Sequence, residues 1–274
     1  MHVFVRATLQ KAAGVFALVL SAAGFCQAAD LRVWSAGAVK PALEELAPQF
    51  QKATGLQLDV QYAPVGVWIR RLAEGNSPDV LILSVDVVQE VEDRGWVPAR
   101  SASPLGSVGV GLAVKQGAVM PDISSPEALR RTLLAAKSVT YMDPQKGTSG
   151  KHFASVLDQL GITEQIRPKA TLGDVGYVLE PVARGEIELG VQQITEILPV
   201  KGAVLVGPLP SSLQKITTYS IMPTVKTDRS EMITKFRQFL QTPEAQAVFK
   251  LKGFMTCCKK CCMRRSFKLC SKQF

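Results

Sequence analysis

Short apolar runs alternate with stretches of helical periodicity along most of the chain. Residues 31–34 predict a buried strand, and the helical pattern after them ends at Gly55. Further strands are predicted at 58–62 and 80–83, each followed by another helical pattern. Regular alternation of this kind is typical of an α/β fold with mostly parallel sheets flanked by helices.

The alternation restarts in the second part of the chain. A strand is predicted at 109–114, and Ser125 followed by Pro126 predicts a capped helix start. The remaining predicted elements are strands at 138–142, 188–191, 203–206 and 217–222, and helices over 153–160, 175–184, 230–240 and 244–251. The pattern therefore predicts two α/β lobes with a cleft between them.

Three of the predicted strand-to-helix turns consist of small residues. They read SAGA at 35–38, APVG at 63–66 and GTSG at 147–150. A helix N-terminus offers unpaired N–H groups and a partial positive charge to an anion, and small side chains let the anion approach the backbone. Ordinary strand-to-helix turns are also rich in Gly and Ser, so a structural role is the alternative for each turn. Three such turns shared between two lobes favour a clamp for an anion.

The first 28 residues are predicted to be a signal peptide. Arg6 and Lys11 precede a stretch without charged residues, and we expect cleavage after Ala28. The apolar run is shorter than the ~20 residues that span a bilayer, which argues against a retained anchor. Phe25 argues against lipid attachment at Cys26. The mature protein is therefore expected in the periplasm.

The formal charge of +9 would suggest a nucleic-acid-binding protein, but its excess lies at the two ends of the chain. Of the 32 basic residues, two lie in the leader and six in the segment 257–274, and neither segment contains Asp or Glu. The body thus carries 24 basic residues against 23 acidic ones, which excludes a basic footprint for nucleic acid.

The cysteines have the same distribution. Cys26 lies in the leader, and the other five lie in the tail over 255–274, so the body needs no disulfide. The tail has one CKKC spacing, typical of half a zinc knuckle, but no histidine and no second, separated pair. We expect neither a metal site nor ordered structure in this tail.

The residues do not predict an enzyme. The mature chain has a single histidine, His152, and lacks a G-x-S-x-G nucleophile motif. The GTSGK sequence is not a P-loop, because Gln145 replaces its first glycine and His152 its Ser or Thr. We expect no catalytic residue, cofactor or metal. The enzymatic alternative is a secreted hydrolase or transferase that uses Ser35 or Ser149.

Five segments resemble, in the same order, the molybdate-binding periplasmic proteins of ABC importers. They read LRVWSAGAV at 31–39, SPDVLI at 77–82, RGEIELG at 184–190, PEAQAVF at 243–249 and KGF at 252–254. The resemblance implies the type II binding-protein fold, whose two lobes are joined by crossover strands and close on a ligand. It also implies that lobe 1 comprises 30–107 and 211–254, and that lobe 2 comprises 108–210.

The same resemblance, together with the small-residue turns, implies which residues contact the ligand. These are Ser35, Ala36, Gly37, Ala38, Val65, Gly66, Ser149, Gly150, Val175 and Gln193. The family's usual serines correspond here to Ala38 and to Pro64 or Val65, and its usual tyrosine corresponds to Gln193. We expect a monomer that captures a small oxyanion, such as molybdate or tungstate, and passes it to a membrane permease. The departures keep an organic anion or a sugar-like solute as the alternative, because an amide both donates and accepts hydrogen bonds.

Overall fold

The computed structural model describes residues 30–174 and 178–255, and it divides them into alternating strands and helices. The strands are β1 (Leu31–Ala36), β2 (Leu58–Ala63), β3 (Val80–Ser84), β4 (Ser103–Val108), β5 (Val110–Lys115), β6 (Val139–Met142), β7 (Ala170–Gly173), β8 (Leu189–Gln193), β9 (Ala203–Pro208) and β10 (Thr217–Pro223). The α-helices are α1 (Lys40–Thr54), α2 (Val65–Ala73), α3 (Val88–Asp93), α4 (Pro126–Ala135), α5 (Thr148–Gln159), α6 (Thr163–Ile166), α7 (Glu180–Arg184), α8 (Ile194–Ile197), α9 (Ser230–Leu240) and α10 (Pro243–Leu251). Over these ranges, no helix combines the length and the apolar character needed to cross a membrane. The predicted signal peptide and residues 256–274 of the predicted tail lie outside the described residues. The expectation of no ordered structure over 255–274 is wrong for Met255, because its backbone exchanges two hydrogen bonds with Ser107 of β4.

Two five-stranded sheets divide the molecule into two lobes. The first lobe has the strand order β2-β1-β3-β10-β4, and the second has the order β7-β6-β8-β5-β9. In each sheet four strands run in one direction, and the strand in the fourth position runs against them. The predicted fold class, two lobes with mostly parallel sheets flanked by helices, is confirmed.

The chain crosses between the lobes twice. Gly109 alone separates β4 of the first lobe from β5 of the second, and the segment 209–216 returns the chain from β9 to β10. The two crossings lie side by side, with Ser107 Oγ and Thr218 Oγ1 2.7 Å apart. These paired segments are the natural place for a hinge between the lobes.

The last two helices complete the core of the first lobe. Phe236 of α9 and Phe249 of α10 are fully buried there, and the Phe236 ring lies 5.1 Å from the ring of Phe50 on α1. Burial of large aromatic side chains supplies much of the apolar area that holds a lobe together. The first lobe is therefore built from both ends of the described chain.

Some local elements differ from the sequence-based prediction. The described part of the helix predicted over 175–184 begins only at Glu180, because Val178 and Leu179 form a turn. Four short elements, β4, β7, α6 and α8, were not predicted from the sequence. The edge strand β7 is half exposed. β7, α6 and α8 span four residues each and contain too few positions to display a period. β4 spans six residues, but its sequence SPLGSV contains a proline and a glycine, which are not typical of a strand.

Candidate ligand-binding cleft

A cavity of about 250 Å³ lies between the lobes. It opens at the carboxyl ends of β1, β2, β6 and β8, which is where ligands of open α/β sheets bind. Its lining consists of small apolar residues, several polar side chains, one lysine and one glutamate. These residues are Ala36, Gly37, Ala38, Lys40, Tyr62, Ala63, Pro64, Val65, Met142, Gly147, Thr148, Ser149, Gln193, Glu196 and Tyr219.

Most of the predicted ligand-binding residues meet at this cavity. Those in its lining are Ala36, Gly37, Ala38, Val65, Ser149 and Gln193. Ser35, Gly66 and Gly150 lie beside the cavity without forming its wall, and Val175 lies outside the described residues. Contact of any of them with a ligand stays a prediction.

Ser35 is buried inside the turn after β1. Its hydroxyl donates to the carbonyl of Ala36 at 3.1 Å, and its own carbonyl accepts a hydrogen bond from Trp68 Nε1 at 2.9 Å. The Trp68 ring stacks on Trp34 with ring centroids 4.8 Å apart. Ser35 and the two tryptophans therefore hold the shape of the turn from beneath.

Two of the predicted glycines have structural reasons for their small size. A Cβ atom at Gly150 would stand 1.9 Å from the carbonyl oxygen of Met142, so only glycine lets α5 pack this closely on the end of β6. A Cβ at Gly66 would lie 3.3 Å from the carbonyl oxygen of Lys146 in the other lobe, and the Gly66 N–H donates to that oxygen. Gly66 thus allows the two lobes to touch across the cleft.

Three helix starts contribute residues to the cavity wall. A short 3₁₀ turn at Gly37–Val39 leads into α1, and α2 and α5 begin at Val65 and Thr148. The residues that precede these starts, Ala36, Pro64 and Gly147, supply no side-chain cap. In contrast, Ser125 caps α4 away from the cleft by accepting a hydrogen bond from Ala128 N. The starts of α1 and α5 therefore direct positive backbone dipoles at the cavity, whereas the first turn of α2 already gives its Gly66 N–H to the Lys146 carbonyl oxygen.

Sequence reasoning missed four titratable residues of the cleft, Lys40, Tyr62, Glu196 and Tyr219, of which Glu196 on α8 is the only carboxyl in the described lining. Glu196 is 7% exposed, and its Oε1 lies 2.7 Å from where a Cβ of Gly37 would stand, so its carboxyl reaches the first turn of the opposite lobe. Burial raises the pKa of Glu196 to about 8, although Gln192 and the charge of Lys40 favour the ionised form. At neutral pH this carboxyl is therefore mostly a neutral acid, able to donate one hydrogen bond.

Other polar groups complete the wall near Glu196. Gln193 Nε2 donates to the Tyr219 hydroxyl at 3.4 Å, whereas Gln193 Oε1 is buried without a hydrogen-bond partner. Burial, together with the nearby charge of Glu196, raises the pKa of Tyr219, so its phenol keeps its proton. Ser149 Oγ donates to Gln192 Oε1 at 3.1 Å. The second lobe thus lines the cavity with amide and hydroxyl groups as well as a carboxyl.

Lys40 at the start of α1 provides the positive charge. Its Nζ lies 3.7 Å from Glu44 Oε1 and 5.9 Å from the centre of the Tyr62 ring. Among the described residues that line the cavity, it is the only Lys or Arg. A lysine beside three helix starts suits an anionic ligand.

His152 does not line the cavity. Its Nε2 lies 2.8 Å from the carbonyl oxygen of Leu213, on the segment that returns the chain to the first lobe. The histidine is half-buried, and burial lowers its pKa. Its contact connects α5 with the crossover segment, away from the groups that surround the cavity.

A local signal for Glu196 does exist in the sequence. Residues 189–197 read LGVQQITEI, in which a lone acid follows an apolar run with two glutamines. An acid in such a run is either a surface residue at a chain reversal or a buried group with a special environment. Only the position of α8 against the first lobe decides between these two.

Comparison with known proteins agrees with this architecture. Residues 31–255 match the family model of bacterial extracellular solute-binding proteins. The chain is 33% identical over 229 residues to the aconitate isomerase of a Pseudomonas species, covering 81% of this chain and 86% of that protein. It is 26% identical to the molybdate-binding protein ModA of Escherichia coli, covering 82% and 88% of the two chains.

Solved structures agree as well. The periplasmic molybdate-binding protein of Azotobacter vinelandii superimposes with a TM-score of 0.70 at 19% identity, covering 84% of this chain and all of that one. At this identity the likeness concerns the fold. The resemblance to molybdate-binding proteins predicted from the sequence is confirmed, while the similarity to an isomerase was not foreseen.

Proposed function

We propose that this chain, which belongs to the family of bacterial extracellular solute-binding proteins, captures a small organic anion in the cleft between its lobes. The observation that carries the proposal is the cavity itself, where a buried carboxyl faces a lysine and uncapped helix starts. Such a set can bind carboxylate groups through backbone N–H groups, an ammonium and a neutral acid.

The lining favours a ligand with a carbon skeleton over a tetrahedral metal oxyanion. Ala38, Pro64 and Val65 place carbon atoms where the molybdate-binding family usually has serine hydroxyls. Gln193 Oε1 lacks a donor, which a hydroxyl on an organic ligand, as in citrate, could supply and a fully deprotonated oxyanion could not. The volume of about 250 Å³ lies just below the ~300–1,000 Å³ typical of small-molecule pockets, so the ligand must be a small metabolite.

The proposed cellular role is the one typical of the family's transport proteins. Export through the signal peptide would place the chain in the periplasm, where the closed, loaded form docks on the permease of an ABC importer. Closure is favoured because the ligand contacts both lobes only when they approach each other. The hydrogen bond from Gly66 N–H to the Lys146 carbonyl oxygen already connects the two lobes at the cleft.

Titration calorimetry on the purified chain tests the ligand class. The panel is trans-aconitate, tricarballylate, citrate, molybdate, tungstate and sulfate; aconitate is included because it is named in the Pseudomonas relative. We expect 1:1 binding of at least one carboxylate with a Kd of about 1 µM or tighter, near −8 kcal/mol. Tight binding of molybdate or tungstate, with no carboxylate bound, would instead support the oxyanion alternative.

A second candidate function is isomerisation of the bound acid, the activity named in that same relative. It is favoured by Glu196, because a buried carboxyl with a pKa of about 8 can accept and return a proton near neutral pH. Incubation of the chain with trans-aconitate and detection of the cis isomer by NMR tests it. Capture without any product would retain the expectation of a non-catalytic protein.

A further inference from the structure

We propose that Glu196 transfers the proton in a 1,3-shift that moves the double bond of an unsaturated di- or tricarboxylate bound in the cleft. The inference rests on the second candidate function, isomerisation, and identifies the residue that would perform it. The substrate class is an acid that carries a CH₂ group next to a C=C bond conjugated with a carboxylate.

The composition of the cavity wall leaves Glu196 as the base. Among the described residues of the lining there is no histidine, cysteine or second carboxyl. Tyr219 keeps its proton because burial raises the pKa of its phenol. Lys40 is placed as the counter-charge, at the start of α1. A base for carbon must be shielded from water, and Glu196 is 7% exposed.

The proposed step is balanced without a co-reactant. The Glu196 carboxylate removes a proton from the CH₂ carbon, and the C–H electron pair forms a new C=C bond to the central carbon. The electrons of the old C=C bond move into the conjugated carboxylate, which gives a dienolate. The Glu196 carboxylic acid then returns the proton to the far carbon of the old double bond, and the carboxylate is restored.

The surroundings of Glu196 suit the charge that develops. The dienolate places negative charge on carboxylate oxygens, towards which Lys40 and the start of α5, which has no side-chain cap, can direct positive charge. Burial has the largest effect on the pKa of Glu196 and raises it, whereas Gln192 from β8 and Lys40 from α1 lower it. Burial and the charge of Glu196 in turn raise the pKa of Tyr219 on β10. Substrate and proton carrier are thus held between the two lobes.

The pH dependence separates catalysis from capture. Turnover needs Glu196 ionised, so kcat/KM should rise about tenfold per pH unit up to about pH 8 and then level off. Capture is favoured by the neutral acid, which donates to the ligand, so the affinity for the saturated analogue tricarballylate should weaken above the same pH. A purely structural Glu196 would give no rise in turnover.

The experiment compares the full chain with Glu196→Gln, Glu196→Asp and the surface control Glu231→Gln on α9. Conversion of trans-aconitate and exchange of its CH₂ hydrogens with deuterium are followed by NMR, and tricarballylate binding by calorimetry. We expect Glu196→Gln to lower turnover and exchange by 100-fold or more while retaining binding at pH 6.5 within about fivefold. Glu196→Asp should keep part of the activity, and Glu231→Gln all of it.

Each adverse result identifies what failed. A parent chain that binds carboxylates but shows neither conversion nor exchange overturns the inference and leaves capture standing. Normal turnover in Glu196→Gln overturns the role of this residue but not the isomerisation. Absence of any carboxylate binding overturns the proposed function itself.

Discussion

The two sheets place three parallel strands in the same relative order and an antiparallel strand in the fourth position, but the lobes present different chemistry at equivalent places. β3 and β8 are the third strands of their sheets, and each is followed within three residues by an acid. In the first lobe Asp86 has 40% of its side chain exposed and pairs with Lys215 at 2.6 Å. In the second lobe Glu196 is buried in the cleft and has a pKa of about 8. The same topology therefore supports a surface ion pair on one side and a titratable cleft residue on the other.

The difference arises from the turn or helix that comes after each strand. A 3₁₀ turn at Val85–Val87 carries Asp86 away from the cavity, whereas α8 comes directly after β8 and carries Glu196 against Gly37 of the opposite lobe. Because Gly37 has no side chain, the carboxyl fits there. Topology thus locates the cleft, while the segment after each strand decides which side chain enters it.

The largest expected effect is a pH-dependent change in stability on substitution of Glu196. Its folded pKa of about 8 lies above the ordinary 4.5, so the folded protein binds more protons than the unfolded chain between these values. Its contribution is thus most favourable at low pH, and the free energy of unfolding should fall as pH rises from 4.5 to 8, by a total on the order of 5 kcal/mol. Glu196→Gln should remove this fall.

Thermal unfolding at pH 5 and pH 9 measures that effect. On going from pH 5 to pH 9, the Tm of the parent chain should fall by roughly 10 °C or more relative to the Tm of Glu196→Gln. This follows from about 2–4 °C per kcal/mol of unfolding free energy. Asp86→Asn is the matched control from the other lobe; its exposed pair should contribute about 1 kcal/mol or less. If Glu196→Gln and the parent shift in parallel with pH, the carboxyl is not buried as described.

The next effect concerns the glycine that seats α5 on β6. Gly150→Ala would place a Cβ 1.9 Å from a backbone oxygen, which cannot swing aside as a side chain can. We expect a loss of about 3 kcal/mol in the free energy of unfolding, or roughly 6–12 °C in Tm. Gly207→Ala is the control in the same lobe, because its nearest neighbour would be 3.8 Å away. Equal melting temperatures for the two variants would contradict the close packing.

Removal of the cationic side chain from the first lobe should weaken ligand binding. Lys40→Met keeps the length of the side chain but deletes its charge at the cavity wall. A hydrogen bond to a charged group contributes about 1.5–3 kcal/mol, so the Kd for a bound carboxylate should rise roughly 10- to 100-fold. Calorimetry measures the Kd. The control is Lys52→Met, which removes an exposed lysine near the end of the same helix. An unchanged Kd in Lys40→Met would remove the lysine from the anion site.

The smallest effect concerns the contact between the lobes. Gly66→Ala would bring a Cβ to 3.3 Å from the Lys146 carbonyl oxygen, so the lobes must separate by a few tenths of an ångström. We expect ligand affinity to weaken roughly fivefold, or about 1 kcal/mol, because closure is hindered. The Tm without ligand should stay within about 1 °C, since each lobe keeps its own core. A fall in Tm with unaltered affinity would indicate that the contact supports folding and not closure.

Features that depend on local pattern could be predicted from the amino-acid sequence alone. The period of apolar residues predicted most strands and longer helices, and Ser125 with Pro126 predicted the capped start of α4. The small-residue turns marked three of the four strand ends that meet at the cavity. These predictions succeeded because hydrophobic period and turn chemistry are properties of neighbouring residues.

The contents of the cleft, in contrast, depend on how the two lobes pack. Ser35 is buried beneath the first turn, and Gly150 allows α5 to contact β6 closely. Glu196 lies next to Gly37 and Lys40 of the opposite lobe. All three placements result from packing. Short α8 has no period to read, and the pKa of its carboxyl depends on desolvation by residues distant in sequence. Such an environment exists only after the lobes have packed, which is why no local pattern along the chain contains it.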